Sequence, residues 1–210
     1  MFRSGKPINY EEVYSGLVDR LARADFRHAM RFLGARDTGE NVAVDVLGRT
    51  CLAGPNGVSA ADGGDLDFTV RIVLAYYILY GGSGDLGGSW VAYRDFKDGA
   101  FFHAAFSQIV ENKIAQSFSG RMAELELRGA ALGGQPLAAG LGGDLCFYFP
   151  ALPRVPLVLV FYDADEDFSS SARVLFDSAA PEFLDMECLA VFGLILADQL
   201  TVGEKTGPGQ

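Results

Sequence analysis

Three stretches of the chain carry residue types that could do chemistry. GGSWVAYRDFKDGAFFHAAF, residues 87–106, holds the only tryptophan, Trp90, one of the two histidines, His103, and the rings of Tyr93, Phe96, Phe101, Phe102 and Phe106. Rings at this density can wall a ligand cleft, and Trp and Tyr add polar handles. Arg94, beside Asp95, would then clamp an anion, because a guanidinium offers a planar fork of donors. A histidine among aromatics, as in FFHAAF, can also serve as an axial ligand to a tetrapyrrole metal. The competing reading is a core seam, with Arg94 paired to a nearby carboxylate and His103 packed and hydrogen-bonded.

The second stretch is DADED, where Asp163, Asp165, Glu166 and Asp167 crowd four carboxylates into five positions. Hard cations favour such oxygen clusters, and a metal bound there could supply a general base or a Lewis acid. An EF-hand register counted from Asp163 fails, however. Phe168 stands where glycine is needed and Val174 where the closing glutamate is needed. A solvated acidic turn is the alternative. The third stretch, GSGDLG at 82–87, satisfies G-x-G-x-x-G. A dinucleotide site needs a strand before it and a helix after it. Here a helix precedes, so the stretch reads as a connector.

Other signatures are absent from the sequence. There is no H-x-x-x-H or H-E-x-x-H spacing, no G-x-S-x-G elbow and no C-x-x-C pair. His28, between Arg27 and Arg31, reads as a surface residue. The three cysteines are far apart, as expected of reduced, mostly buried thiols in a cytoplasm. No catalytic residue and no cofactor can be named.

The elements that must position these residues follow from periodicity. Asn9 with Glu12 caps a helix start, and Tyr10, Val13, Tyr14, Leu17 and Leu21 give it one apolar face. Asp25 is a candidate restart for a second turn of helix running to Leu33, where Gly34 fits a helix stop. Residues 42–54 alternate around Leu47-Gly48-Arg49 as a β-hairpin. Residues 54–65 read as a loop, with Asp65 as cap for an apolar helix over 66–80. Residues 100–118 and 120–132 read as helices. Strands are expected at 145–150, 155–162 and 172–177, the middle one apolar on both faces and so central. A helix opened by Asp185 closes the fold at 184–200. Clustered strands argue for an α+β fold: a small, mostly antiparallel sheet with helices packed around it. The expected organisation is an extension over 1–8, one domain over 9–202 and a disordered tail over 203–210.

The 210 residues are half hydrophobic, and the formal net charge is -10. So acidic a chain should repel nucleic acid and anionic lipid. Its longest apolar runs are ten residues, and a membrane span needs about twenty.

Several phrases together resemble one family: NYEEVY, LAYYILYG, GGSWVAYRDFKDGAFFHAAF, LGGQPL, ALPRVPLVLVFYDADEDFSSSARVLFD and EFLDMECLAVFGLILADQL. In this order they resemble the domain of unknown function 3786 family of anaerobic bacteria and archaea. The matching positions are Trp90, Tyr93, Arg94, Asp95, Gly99, Leu152, Pro153, Arg154, Pro156, Asp165, Glu166, Asp167 and Phe168. Tyr162 stands where many members carry Trp. Some members resemble fusions to an iron–sulfur module like that of corrinoid iron–sulfur proteins. That implies a setting of anaerobic one-carbon or corrinoid metabolism, although this chain lacks the cluster cysteines.

The expected function is a non-catalytic module that binds a small ligand, a corrinoid or other tetrapyrrole being one candidate. Trp90, Tyr93, Phe102 and His103 would form the walls, with Asp95 between them, and Arg94 and Arg154 would meet anionic groups. The alternatives are an accessory domain that docks on a partner enzyme or a second copy, and a divalent-metal enzyme built on Asp163, Asp165, Glu166 and Asp167.

Overall fold

The computed structural model describes residues 9–137 and 140–201, so the expected extension and tail lie outside the described residues. The first helix, α1 (Tyr10–Leu21), opens as its sequence predicts: Asn9 Oδ1 accepts the N–H of Glu12 at 3.3 Å. A short helix, α2 (Arg27–Phe32), follows. Gly34 turns the chain with a φ of +71°, and a side chain there would run into Pro153.

The first sheet is an antiparallel meander of β1 (Arg36–Asp37), β2 (Val42–Val46), β3 (Arg49–Gly54) and β4 (Gly57–Ala60). Leu47 and Gly48 join β2 to β3 with φ values of +46° and +78°. Two such residues make the turn whose twist matches a hairpin. Strand β4 corrects the loop expected there. Four residues between glycine-rich flanks give little pattern, and the strand is fixed from outside. The Tyr14 hydroxyl accepts the Val58 N–H at 2.6 Å and donates to the Val58 carbonyl at 3.3 Å.

Helix α3 (Phe68–Tyr80) starts two residues later than expected. Its cap is Asp67, which accepts the Thr69 N–H at 2.7 Å, and not Asp65. The helix expected over 100–118 is interrupted. It becomes α4 (His103–Phe106), a π-type turn (Ser107–Glu111) and α5 (Asn112–Phe118), followed by α6 (Met122–Ala131).

The second sheet joins β5 (Trp90–Ala92), β6 (Gln135–Pro136), β7 (Leu145–Leu152), β8 (Val155–Tyr162) and β9 (Ser171–Asp177). Their order is β5-β9-β8-β7-β6, antiparallel throughout. The fold is therefore α+β as expected, with two antiparallel sheets where one was expected. Strand β8 is central, and its residues are buried up to Tyr162. Helix α7 (Met186–Thr201) closes the fold. Asp185 opens it by accepting the Cys188 N–H at 2.7 Å.

One continuous core joins both sheets to α3 and α7. Helix α7 is apolar nearly all round because it is buried nearly all round. Gly193 marks its closest approach, since a Cβ there would lie 2.6 Å from the Phe106 ring. Among the described residues no helix is long and apolar enough to cross a membrane.

The glycine-rich stretch before β5 is pinned. Asp177 is 3% exposed. Its carboxylate accepts the N–H groups of Gly87 at 2.7 Å, Gly88 at 2.9 Å and Ala179 at 2.9 Å. The backbone donors that a phosphate loop would turn toward a ligand here hold a carboxylate of the chain itself. A buried anion with three such bonds is stabilising only while all are made. Asp177→Ala is expected to lower stability by about 3 kcal/mol, since it orphans three donors. Thermal and urea unfolding measure it, and a loss within error of zero contradicts the clamp.

Candidate functional site

The register of the second sheet decides which side chains share a face. Trp90 pairs with Asp177, and Ala92 with Leu175; Val158 lies opposite Leu175 and Tyr148, and Val160 opposite Arg173 and Cys146. Alternation therefore puts Trp90, Ala92, Leu175, Arg173, Val158, Val160, Cys146 and Tyr148 on the face turned away from the main core. The apolar members of this set form a small second cluster with Leu137, Leu141 and Tyr162. Trp90 meets Tyr148 edge-on at 6.0 Å between ring centres.

At the β5 end of this face lies a cleft of about 270 Å³. Five of the residues singled out by sequence border it: Trp90, Tyr93, Arg94, Asp95 and His103. Trp90 comes from β5, and the next three from the turn that follows it. His103 comes from the first residue of α4 and is half-buried. Its ring has no hydrogen-bond partner among the described residues, contrary to the packed, bonded histidine weighed above.

Two further charged residues complete the rim, Glu111 and Arg173. Glu111 ends the π-type turn and accepts the Val174 N–H at 3.2 Å. Such turns recur at functional sites because they shift one residue out of helical phase. That shift hides Glu111 from a reading based on period 3.6. Arg173 was legible in principle, since the alternation of ARVLFD places it outward beside Leu175. Its guanidinium donates to the Tyr162 hydroxyl at 2.8 Å and lies over that ring. It has no carboxylate partner among the described residues. Arg94 and Asp95 form only an exposed pair at 3.6 Å, which holds neither side chain strongly.

Core seam and cleft wall both describe the aromatic stretch, for different rings. Tyr93 stacks on Phe106 with centres 4.4 Å apart and planes within 9°. Both rings also meet Phe176 inside the core. The Tyr93 hydroxyl donates to the Met186 carbonyl at 2.9 Å, tying the cleft floor to α7. Phe96 joins the same cluster. Phe102 packs on the core and does not border the cleft, while Phe101 is 85% exposed.

Arg154 is elsewhere. It lies in the β7–β8 turn, where its Nε donates to the Phe32 carbonyl at 2.8 Å and its N–H to the Tyr77 hydroxyl at 3.1 Å. Its Nη1 is 3.7 Å from Asp85. It does not line the cleft, and Arg173 occupies the place expected of a second guanidinium. The acidic loop is organised by its own backbone. Asp163 accepts the N–H groups of Gly120 and Ala164, and Asp165 those of Asp167 and Phe168. Asp163 and Asp165 each commit one oxygen, Oδ1, to the backbone, and Glu166 and Asp167 are exposed. No group of three or more His, Cys, Asp or Glu among the described residues could hold a metal ion.

Burial raises several acid groups on the inner side. Tyr93 is pushed up to about 12 by burial, with Glu187 and Asp185 adding. Cys51 is pushed up to about 11, again chiefly by burial, and the Cys188 thiol rises for the same reason. All three cysteines are free and buried.

An α+β domain of two antiparallel sheets, with a small polar-rimmed cleft on the outer face of one, is thus the class of protein defined. The chain belongs to the domain of unknown function 3786 family, whose model matches residues 25–199. Neither the curated proteins nor the solved structures give a match to it.

Groups whose folded-state values are raised hold their protons more tightly in the fold. Their contribution is complete below the unfolded thiol value of 9.0 and is lost as pH rises through about 11 for Cys51 and about 12 for Tyr93. On the alkaline side, unfolding midpoints should hold from neutral pH to pH 9 and fall steadily above it, and Tyr93→Phe should flatten the part above pH 10. Midpoints unchanged from pH 9 to pH 12 contradict the assignment.

Proposed function

We propose that this chain is a non-catalytic binding module whose cleft takes a small planar anion. The single observation that carries the reading is the convergence of Trp90, His103, Arg94 and Arg173 on one opening. An indole offers an apolar face for a flat ring, and two guanidiniums without strong partners offer donors to carboxylate or phosphate. The chain carries a net charge of -10, so an anion is attracted only where cations are concentrated.

Size narrows the ligand. The cleft of about 270 Å³ lies just below the range usual for enclosed small-molecule sites, roughly 300–1,000 Å³. It suits a one- or two-ring acid. A corrinoid or other tetrapyrrole could insert only one edge, with its acidic side chains toward Arg94 and Arg173 and His103 near the metal. A docking role is the second reading. It is favoured by Phe101, 85% exposed and two residues before His103.

The only tryptophan of the chain borders the cleft, so its emission reports on occupancy directly. Titration with anilinonaphthalene sulfonate, haem and cobalamin is expected to quench Trp90 saturably for at least one of them. Arg173→Met and Arg94→Met should each weaken that binding about 10- to 100-fold, the loss expected for one charge-assisted hydrogen bond. Absence of saturable quenching by all three, or equal binding by both variants, refutes the proposal.

A further inference from the structure

A second opening, of about 330 Å³, lies between the end of α3 and the turn that leads into α7. Tyr76 and Tyr80 wall it, with their rings 5.3 Å apart, over a floor that includes the buried Phe183. It continues into a hollow of about 260 Å³ on α1, with which it shares Arg20 and Tyr76. Gly16 lies in that hollow, and no atom comes within 4 Å of where its Cβ would be. A mid-helix glycine weakens a helix relative to alanine, and no close contact among the described residues requires this one.

The groove carries charges of both signs. Arg20 donates to the Tyr80 hydroxyl and lies over that ring. It has no carboxylate partner among the described residues. Asp185 and Glu182 stand at the α7 side. Asp185 accepts the Cys188 N–H through Oδ1 and remains exposed. The Tyr76 hydroxyl lies within reach of both signs. Burial pushes it up first, Cys188 and Asp185 push it further, and Arg20 pulls it down.

We infer that this groove binds a small zwitterion, an α-amino acid with an aromatic or branched apolar side chain. Its carboxylate meets Arg20, its ammonium meets Asp185 and Glu182, and its side chain lies against Tyr76 and Tyr80. A simple anion would face the two carboxylates, and a simple cation would face the guanidinium. Only a ligand carrying both charges complements both signs. The site is distinct from the cleft at Trp90 and does not depend on its occupancy.

The test uses the full chain with L-phenylalanine and L-leucine, against phenethylamine and hydrocinnamate, which each lack one charge. At about ten times a millimolar Kd, an amino acid should raise Tm by about 3–5 °C. The singly charged analogues should bind at least about tenfold more weakly, and so should Arg20→Met and Asp185→Asn towards L-phenylalanine. Trp90→Ala should leave the shift intact, which separates this site from the other cleft. Circular dichroism checks that the variants fold, and the analogue series on the unaltered protein stands without them. No shift with either amino acid, equal binding of either analogue, or loss of the shift in Trp90→Ala overturns the inference.

Discussion

The buried carboxylate of Asp177 is the constraint on which the outer site depends. It collects three backbone N–H groups, two of them from the glycine pair just before β5. The same residue sits opposite Trp90 in the β5–β9 register. One side chain therefore ends the connector, aligns an edge strand of only three residues and delivers the indole to the outer face. Three residues of strand would not hold that register alone, since so short a pairing offers few ladder bonds. Gly87 and Gly88 matter here because their amides must reach an acceptor at close range. A Cβ at Gly87 would meet the Ser178 hydroxyl at 2.0 Å.

The site that results is polarised. Its inner side is solid: Tyr93 and Phe106 stack under it, and Phe106 lies against Gly193 of α7. Its outer side is open and carries side chains with weak partners or none. In the proposed binding role, the rigid floor would keep the ring wall preorganised, while the loosely paired guanidiniums would still have to be ordered. Neither property is a property of composition.

Much of the architecture was legible in the sequence because the strongest periodicities belong to the most buried elements. Strand β8, the Leu47-Gly48 hairpin and the capped starts at Asn9 and Asp185 follow from local chemistry alone. What was not legible depended on contacts from far along the chain. Strand β4 is held by a tyrosine 44 residues away, and the π-type turn resets the phase that a helical reading assumes. The same division runs through the site. Trp90, Arg94 and His103 are near one another in sequence and so were found together. Arg173 comes from β9 and Glu111 from beyond a phase shift, so neither could be joined to them without the fold. Arg154 shows the reverse case, a residue of the right type carried by its turn away from the cleft at Trp90.

The hydroxyl of Tyr14 has a consequence of its own. By bonding both the N–H and the carbonyl of Val58, it occupies the free margin of β4, where an unpaired strand would otherwise template the addition of another. Protection against intermolecular strand pairing thus comes from α1, a helix that precedes the family-matched region at 25–199.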